Sequence, residues 1–188
     1  GKAYKALTVE HVDTSTGIAN PIDKIGAIVK NFETLYVVDT VCGIGAMPLK
    51  TDEWNIDVCL TGSQKAIAAP PGLTLLTFSS DAWKAVEARR TPVRSYYADL
   101  KRWLPVMDDP SKYFATPSVT LVLALREALR IVMEEGLERR WARHKTIAEA
   151  VRYGVESIGL GNFPREDFRA DTLTVPKTPE GISEPELR

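Results

Sequence analysis

Short apolar runs alternate with amphipathic stretches through the first half of the chain. Ala6-Leu7-Thr8-Val9-Glu10 reads as a strand, and Pro21 opens a helix through Val29, because a ring-fixed φ and a missing N–H suit a first helical turn. Leu35-Tyr36-Val37-Val38-Asp39 is an almost continuous apolar run, as expected of a strand covered on both faces. Ile56-Asp57-Val58-Cys59-Leu60, ending at Thr61-Gly62, and Leu73 to Phe78 give two more strands. This alternation predicts an α/β fold on a mostly parallel sheet. Asp81 is placed to cap a helix through Val86 and Arg90, and 91–117 reads as a long irregular stretch of the kind that carries function. Beyond Pro117 the period lengthens: Leu121, Leu125 and Leu129, with Val122 alongside, predict a helix capped at Thr116 or Ser118 and stopped at Gly136. A second helix spans about 138–157, with Arg139, Arg140, Arg143 and Lys145 on a solvated face. The tail from Thr174, broken by three prolines, predicts little fixed structure.

Chemistry concentrates where the strands end. Lys65 follows Thr61-Gly62-Ser63-Gln64 and precedes the turn Ala69-Pro70-Pro71-Gly72, close to the carboxyl end of a strand, where α/β proteins place ligands. An amine held near apolar surface loses hydration when charged, which frees the neutral nucleophile that a Schiff base requires; the alternative is a surface lysine after a strand. Asp39 ends the preceding strand before the small-residue loop Thr40 to Gly45. A carboxylate at depth needs a cationic partner, and a pyridinium nitrogen is one; the alternative is a loop-capping aspartate. His11 suits a satisfied core position, with a cofactor contact as the alternative, and Tyr96, Tyr97 and Trp103 suit packing as well as substrate contact. Gly43-Ile44-Gly45 lacks the third glycine of a dinucleotide loop, since Pro48 stands there. Asp52, Glu53 and Asp57 flank Trp54 without a ligand geometry.

Composition narrows the class. A length of 188 residues accommodates one large domain, or one domain and part of another. A net charge of -1 provides no nucleic-acid footprint. No apolar run is long enough for a membrane span, and Gly1-Lys2-Ala3-Tyr4 lacks the core of a secretion signal, so the expectation is a soluble cytoplasmic protein. Two cysteines and two histidines make neither a disulfide framework nor a zinc site.

Four segments in order resemble the class V aminotransferases, most nearly the alanine-glyoxylate and serine-pyruvate branch. They are His11-Val12-Asp13-Thr14-Ser15-Thr16-Gly17, Val38-Asp39-Thr40-Val41 with 43–48, Gly62-Ser63-Gln64-Lys65-Ala66 with Pro70-Pro71-Gly72, and Tyr113-Phe114-Ala115-Thr116-Pro117. The resemblance covers about residues 5 to 160 and implies the fold-type I large domain in 1–133, with 134–188 starting a smaller C-terminal α/β domain. It implies pyridoxal 5'-phosphate joined to Lys65, with Asp39 on the pyridine nitrogen and Thr14 or Ser15 near the phenolic oxygen. Gln64 would touch the phosphate, and Tyr113 and Thr116 would reach the phosphate of a neighbouring subunit in a homodimer with shared sites. The implied reaction moves an amino group between a small amino acid (alanine or serine) and a 2-oxo acid (glyoxylate or pyruvate). Asp13 stands where relatives usually carry Glu, and Thr40 where they carry Ser. Relatives are longer, opening with a serine-glycine-threonine phosphate loop and closing with a carboxylate-binding arginine, so this chain reads as the middle of such an enzyme. Two alternatives stand beside it. One is cysteine desulfurase-like chemistry, whose enzymes carry His where Gln64 stands; the other is a catalytically silent dimerisation segment.

Overall fold

The computed structural model describes residues 4–187; Gly1 to Ala3 of the amino-terminal reading and Arg188 of the tail lie outside them. In chain order the elements are β1 (Ala6–Glu10), the short strands β2 (Val12–Asp13) and β3 (Ile18–Ala19), α1 (Ile22–Val29), β4 (Leu35–Asp39), β5 (Val58–Gly62), β6 (Thr74–Phe78), α2 (Ser80–Ala88), α3 (Leu100–Asp108), α4 (Val119–Glu135), α5 (Leu137–Ser157) and α6 (Glu184–Leu187). The main sheet runs β1-β4-β5-β6, the first three strands parallel and β6 antiparallel. The expected mostly parallel α/β sheet is therefore present.

Its core forms where the most apolar strand meets α1. Tyr36 and Val38 of β4 are fully enclosed, packed with Ile22, Val29, Ile56 and Cys59. Gly26 permits this approach, because a Cβ there would lie 1.9 Å from the Trp54 carbonyl oxygen. Asp57 ties three elements together. Its carboxylate accepts the Tyr36 N–H at 2.8 Å and the Ser79 hydroxyl at 2.6 Å, and Ser79 in turn caps α2 by accepting the Ala82 N–H at 3.1 Å.

Several local expectations give way to this geometry. Ser79, extended at φ -69 and ψ 164, is the cap of α2 in place of Asp81, which pairs with Lys84 inside the first turn. Residues 91–117 are not irregular throughout: Asp99 accepts the Lys101 N–H at 3.2 Å to start α3, and Pro110–Lys112 form a 3₁₀ turn. Tyr97, Trp103 and Phe114 make a small aromatic core for this segment, with ring centroids 5.1 and 4.8 Å apart along the series. Ser118 stands at the start of α4 without a side-chain cap bond. Beyond Thr174, Val175 accepts the Phe163 N–H at 2.8 Å, the Lys177 N–H reaches the Gly161 carbonyl at 2.7 Å, and α6 forms one turn near the end. Among the described residues no helix is long and apolar enough to cross a membrane.

Candidate active site

Register sets the site. Glu10 of β1 lies opposite Asp39 of β4, and Asp39 lies opposite Leu60 of β5. Three parallel strands thus end at one edge, and the segments leaving them carry the predicted residues. Thr14 and Ser15 lie at the tip of the β2–β3 hairpin, Asp39 closes β4, and Gln64 and Lys65 follow β5. The backbone binds these exits together: the His11 N–H donates to the Asp39 carbonyl at 2.7 Å and the Thr40 N–H to the Leu60 carbonyl at 2.9 Å.

Each exit has its own lock. In the hairpin the Asp13 carboxylate accepts the Ser15 N–H and hydroxyl at 2.9 and 2.8 Å and the Thr16 hydroxyl at 2.6 Å. The Thr16 bond foremost, with those of Ser15, holds that carboxyl below its ordinary range. Ser15 is spent on this turn, whereas the exposed Thr14 hydroxyl has no partner among the described residues. After β4, Thr40 is fully buried and donates to the Leu60 carbonyl at 2.9 Å, and one Asp39 oxygen accepts the Val41 N–H at 2.9 Å. Asp39 itself is exposed. The expectation of an anion at depth is corrected on that point, because the strand's buried face ends at Val38 and resumes at Thr40.

The lysine loop is closed by Ser63. Its buried hydroxyl donates to the Pro70 carbonyl at 2.6 Å, and its carbonyl accepts the Ala69 N–H at 3.0 Å. Gln64 folds back on Gly62, where a Cβ would lie 2.5 Å from Oε1. Lys65 projects outward and is exposed, so this chain's own residues do not supply the apolar surroundings expected for its amine. Three residues on, the backbone strains: Ala68 has φ +64, a left-handed conformation that a side chain disfavours. Tyr113 and Thr116, both exposed, stand at the far end of the aromatic-cored segment, and no hydrogen bond joins them to the Asp39 or Lys65 loops among the described residues.

His11 takes the core position expected of it, though its Nδ1 has no hydrogen-bond partner among the described residues, and Arg140 escapes sequence reasoning. His11 is 4% exposed, and the edge of its ring bearing Nδ1 abuts Gly43, whose Cβ would fall 2.2 Å from that atom. Loss of hydration lowers its pKa to about 4, so the ring is neutral beneath the Asp39 loop. Arg140 contradicts the solvated face expected of α5. It is 7% exposed and donates Nε to the Gly45 carbonyl at 2.9 Å, one terminal nitrogen to the Ala66 carbonyl, and the other to Glu135 at 2.7 Å.

The model of the family described as Aminotransferase class-V matches residues 1–178. The chain belongs to this family. Alanine–glyoxylate aminotransferase 1 of Saccharomyces cerevisiae is 40% identical over 86% of this chain and 45% of its own length. Pyridoxamine–pyruvate transaminase of Mesorhizobium japonicum is 36% identical over the whole chain and 49% of its own length. The crystal structure of an alanine–glyoxylate aminotransferase from Nostoc sp. superposes with a TM-score of 0.91 at 35% identity, over 94% of this chain and 47% of that one. The chain thus spans about half the length of the class-V relatives that it matches. Its fold is that of the fold-type I aminotransferases, as the resemblance implied.

Proposed function

We propose that this chain carries the lysine half of an aminotransferase site that moves an amino group from a small amino acid to a 2-oxo acid. The carrying observation is the register that ends β1, β4 and β5 at one edge, with Asp39 and Lys65 on neighbouring exits of a class-V chain.

The residues present fit pyridoxal phosphate, the family's cofactor. Lys65 is exposed and engaged in no ion pair, one Asp39 oxygen remains free, and the Thr14 hydroxyl is unpartnered, all among the described residues. That cofactor, when bound, supplies an electron sink for a substrate carbanion. Asp39 keeps a pyridine nitrogen protonated. Thr14, rather than the engaged Ser15, donates toward the phenolic oxygen, and Gln64 faces the phosphate. Lys65 would hold the cofactor and, when free, its amine would be the base that takes the proton from the substrate's Cα. Tyr113 and Thr116 serve the phosphate of a second subunit, and residues 134–188 begin the smaller domain. Gln64 in place of a ring-stacking histidine favours amino transfer over desulfuration. Alanine as donor and glyoxylate or pyruvate as acceptor are supported by the relatives, an alanine–glyoxylate aminotransferase and a pyridoxamine–pyruvate transaminase; serine as donor rests on the sequence resemblance.

Borohydride reduction of cofactor-loaded native polypeptide, followed by peptide mass analysis, tests the reading. Pyridoxal mass on the Lys65 peptide is expected; mass on Lys50 or Lys84 instead, or none, refutes it.

A further inference from the structure

Arg140 is the one α5 cation whose whole guanidinium is spent on backbone and carboxylate inside the fold. Its three nitrogens go to three places: the Gly45 carbonyl after Asp39, the Ala66 carbonyl next to Lys65, and Glu135 at the end of α4. Gly136, at φ +79, turns the chain between α4 and α5 and so brings Glu135 beside Arg140. Arg143 grips the same carboxylate at 2.5 and 3.0 Å. A planar fork is the side chain that can satisfy such divergent acceptors at once.

We propose that Arg140 is a positioning residue: it locks the Lys65 loop to the Asp39 loop, so that the lysine and the aspartate hold one relative placement. The inference rests on the aminotransferase reading of Lys65 and Asp39. Its physical ground is that the lysine loop's own hydrogen bonds, from Ser63 to Pro70, from Ala69 to Ser63 and from the Ala68 N–H to the Lys65 carbonyl at 2.8 Å, close it on itself without joining it to the Asp39 loop. Ala68 strains it from within, and the Lys65 side chain is exposed and cannot anchor its own backbone. The grip on the Ala66 carbonyl comes from a helix remote in sequence. Relaxing that grip lets the amine drift, and a misplacement of about 1 Å can cost roughly 10²-fold in rate. Glu135 completes the lock by neutralising a buried cation; the bond from Arg143 first, then that from Arg140, holds its carboxyl down at about 2.

The test uses the full native polypeptide with Arg140→Met, Arg140→Lys and Glu135→Gln, and two readouts. The first is amide hydrogen exchange of cofactor-free protein. Loss of bonds to a charged donor predicts exchange faster by about ten- to a hundredfold at Ala68 and Ala69, and at Met47 after Asp39, while Val38 and Cys59 in the sheet keep their protection. The second is the rate at which pyridoxal phosphate is trapped on Lys65 by borohydride. It should fall about tenfold or more in Arg140→Met, and Arg140→Lys should recover the melting temperature but not the rate, because one ammonium does not span both carbonyls and the carboxylate. Should Arg140→Met not fold, Glu135→Gln and Arg140→Lys carry the same comparison. Loop amides that stay protected, or that loosen only in step with the sheet, overturn the proposal, as does a trapping rate that tracks the melting temperature. If the unsubstituted protein takes no label at Lys65, the aminotransferase reading falls, and exchange alone decides the lock.

Discussion

His11 sits neutral inside the chain at about 4, against an ordinary 6.5, because burial strips its hydration. The unfolded chain takes up a proton below 6.5 that the folded chain refuses. The stability tied to this residue is therefore complete above pH 6.5 and drains away as pH falls toward 4, by roughly 3 kcal/mol. Urea denaturation at pH 7 and pH 4.5 should show that slope, and His11→Gln should flatten it. Asp39 offers a different test. Asn at position 39 can still accept the Val41 N–H, so Asp39→Asn should keep its melting temperature while slowing exchange of the substrate's Cα proton with deuterated solvent. Loss of helix and strand signal by circular dichroism would reduce Asp39 to a loop cap. The placement of Lys65 and Asp39 at the ends of neighbouring strands is legible in the sequence, because the strand before each residue and the loop after it lie within a few positions. Arg140 is not legible, since it shares its charge and spacing with exposed Arg139 and Arg143. What sets it apart is two carbonyls supplied by remote loops.

At the scale of elements, Asp57 is a tie. Its backbone N–H donates to the Tyr36 carbonyl at 2.8 Å and its carbonyl accepts the Ser79 N–H at 2.7 Å just ahead of β5, and its side chain accepts the Tyr36 N–H and the Ser79 hydroxyl. Asp57→Ala leaves both donors short of an acceptor and should cost about 2 to 4 kcal/mol in denaturant unfolding, with Asp57→Asn costing less. Strands β1 and β4 appear where their apolar runs stand, since pattern and pairing coincide there. The β2–β3 hairpin does not show in the pattern, because two-residue strands have no period to read. Helix α3 is hidden for another reason: Pro105 interrupts it, none of its residues is buried, and its packing partner Phe114 comes later in the chain.

For the whole molecule, the proposed sharing of sites makes a direct forecast. Tyr113→Phe should bind cofactor more weakly with its fold intact, because bonds to a phosphate dianion contribute about 1.5 to 3 kcal/mol each. Mixed with Lys65→Ala, it should regain activity, since a heterodimer gathers both defects into one site and leaves the other whole. No recovery after verified subunit exchange would mean that Tyr113 serves its own subunit. The lock at Arg140 also has a consequence in time. Arg140 follows Ala66 by 74 residues and Gly45 by 95. At about 5 to 20 residues per second of synthesis, the lysine loop waits roughly 4 to 15 seconds for the side chain that steadies it. On the proposed reading, a growing chain would meet free cofactor with its nucleophile already made but not yet held, and loading would be an event of late synthesis. Ribosome-bound chains halted before α5 emerges should take pyridoxal label at Lys65 slowly, and those halted after it should take it at the mature rate.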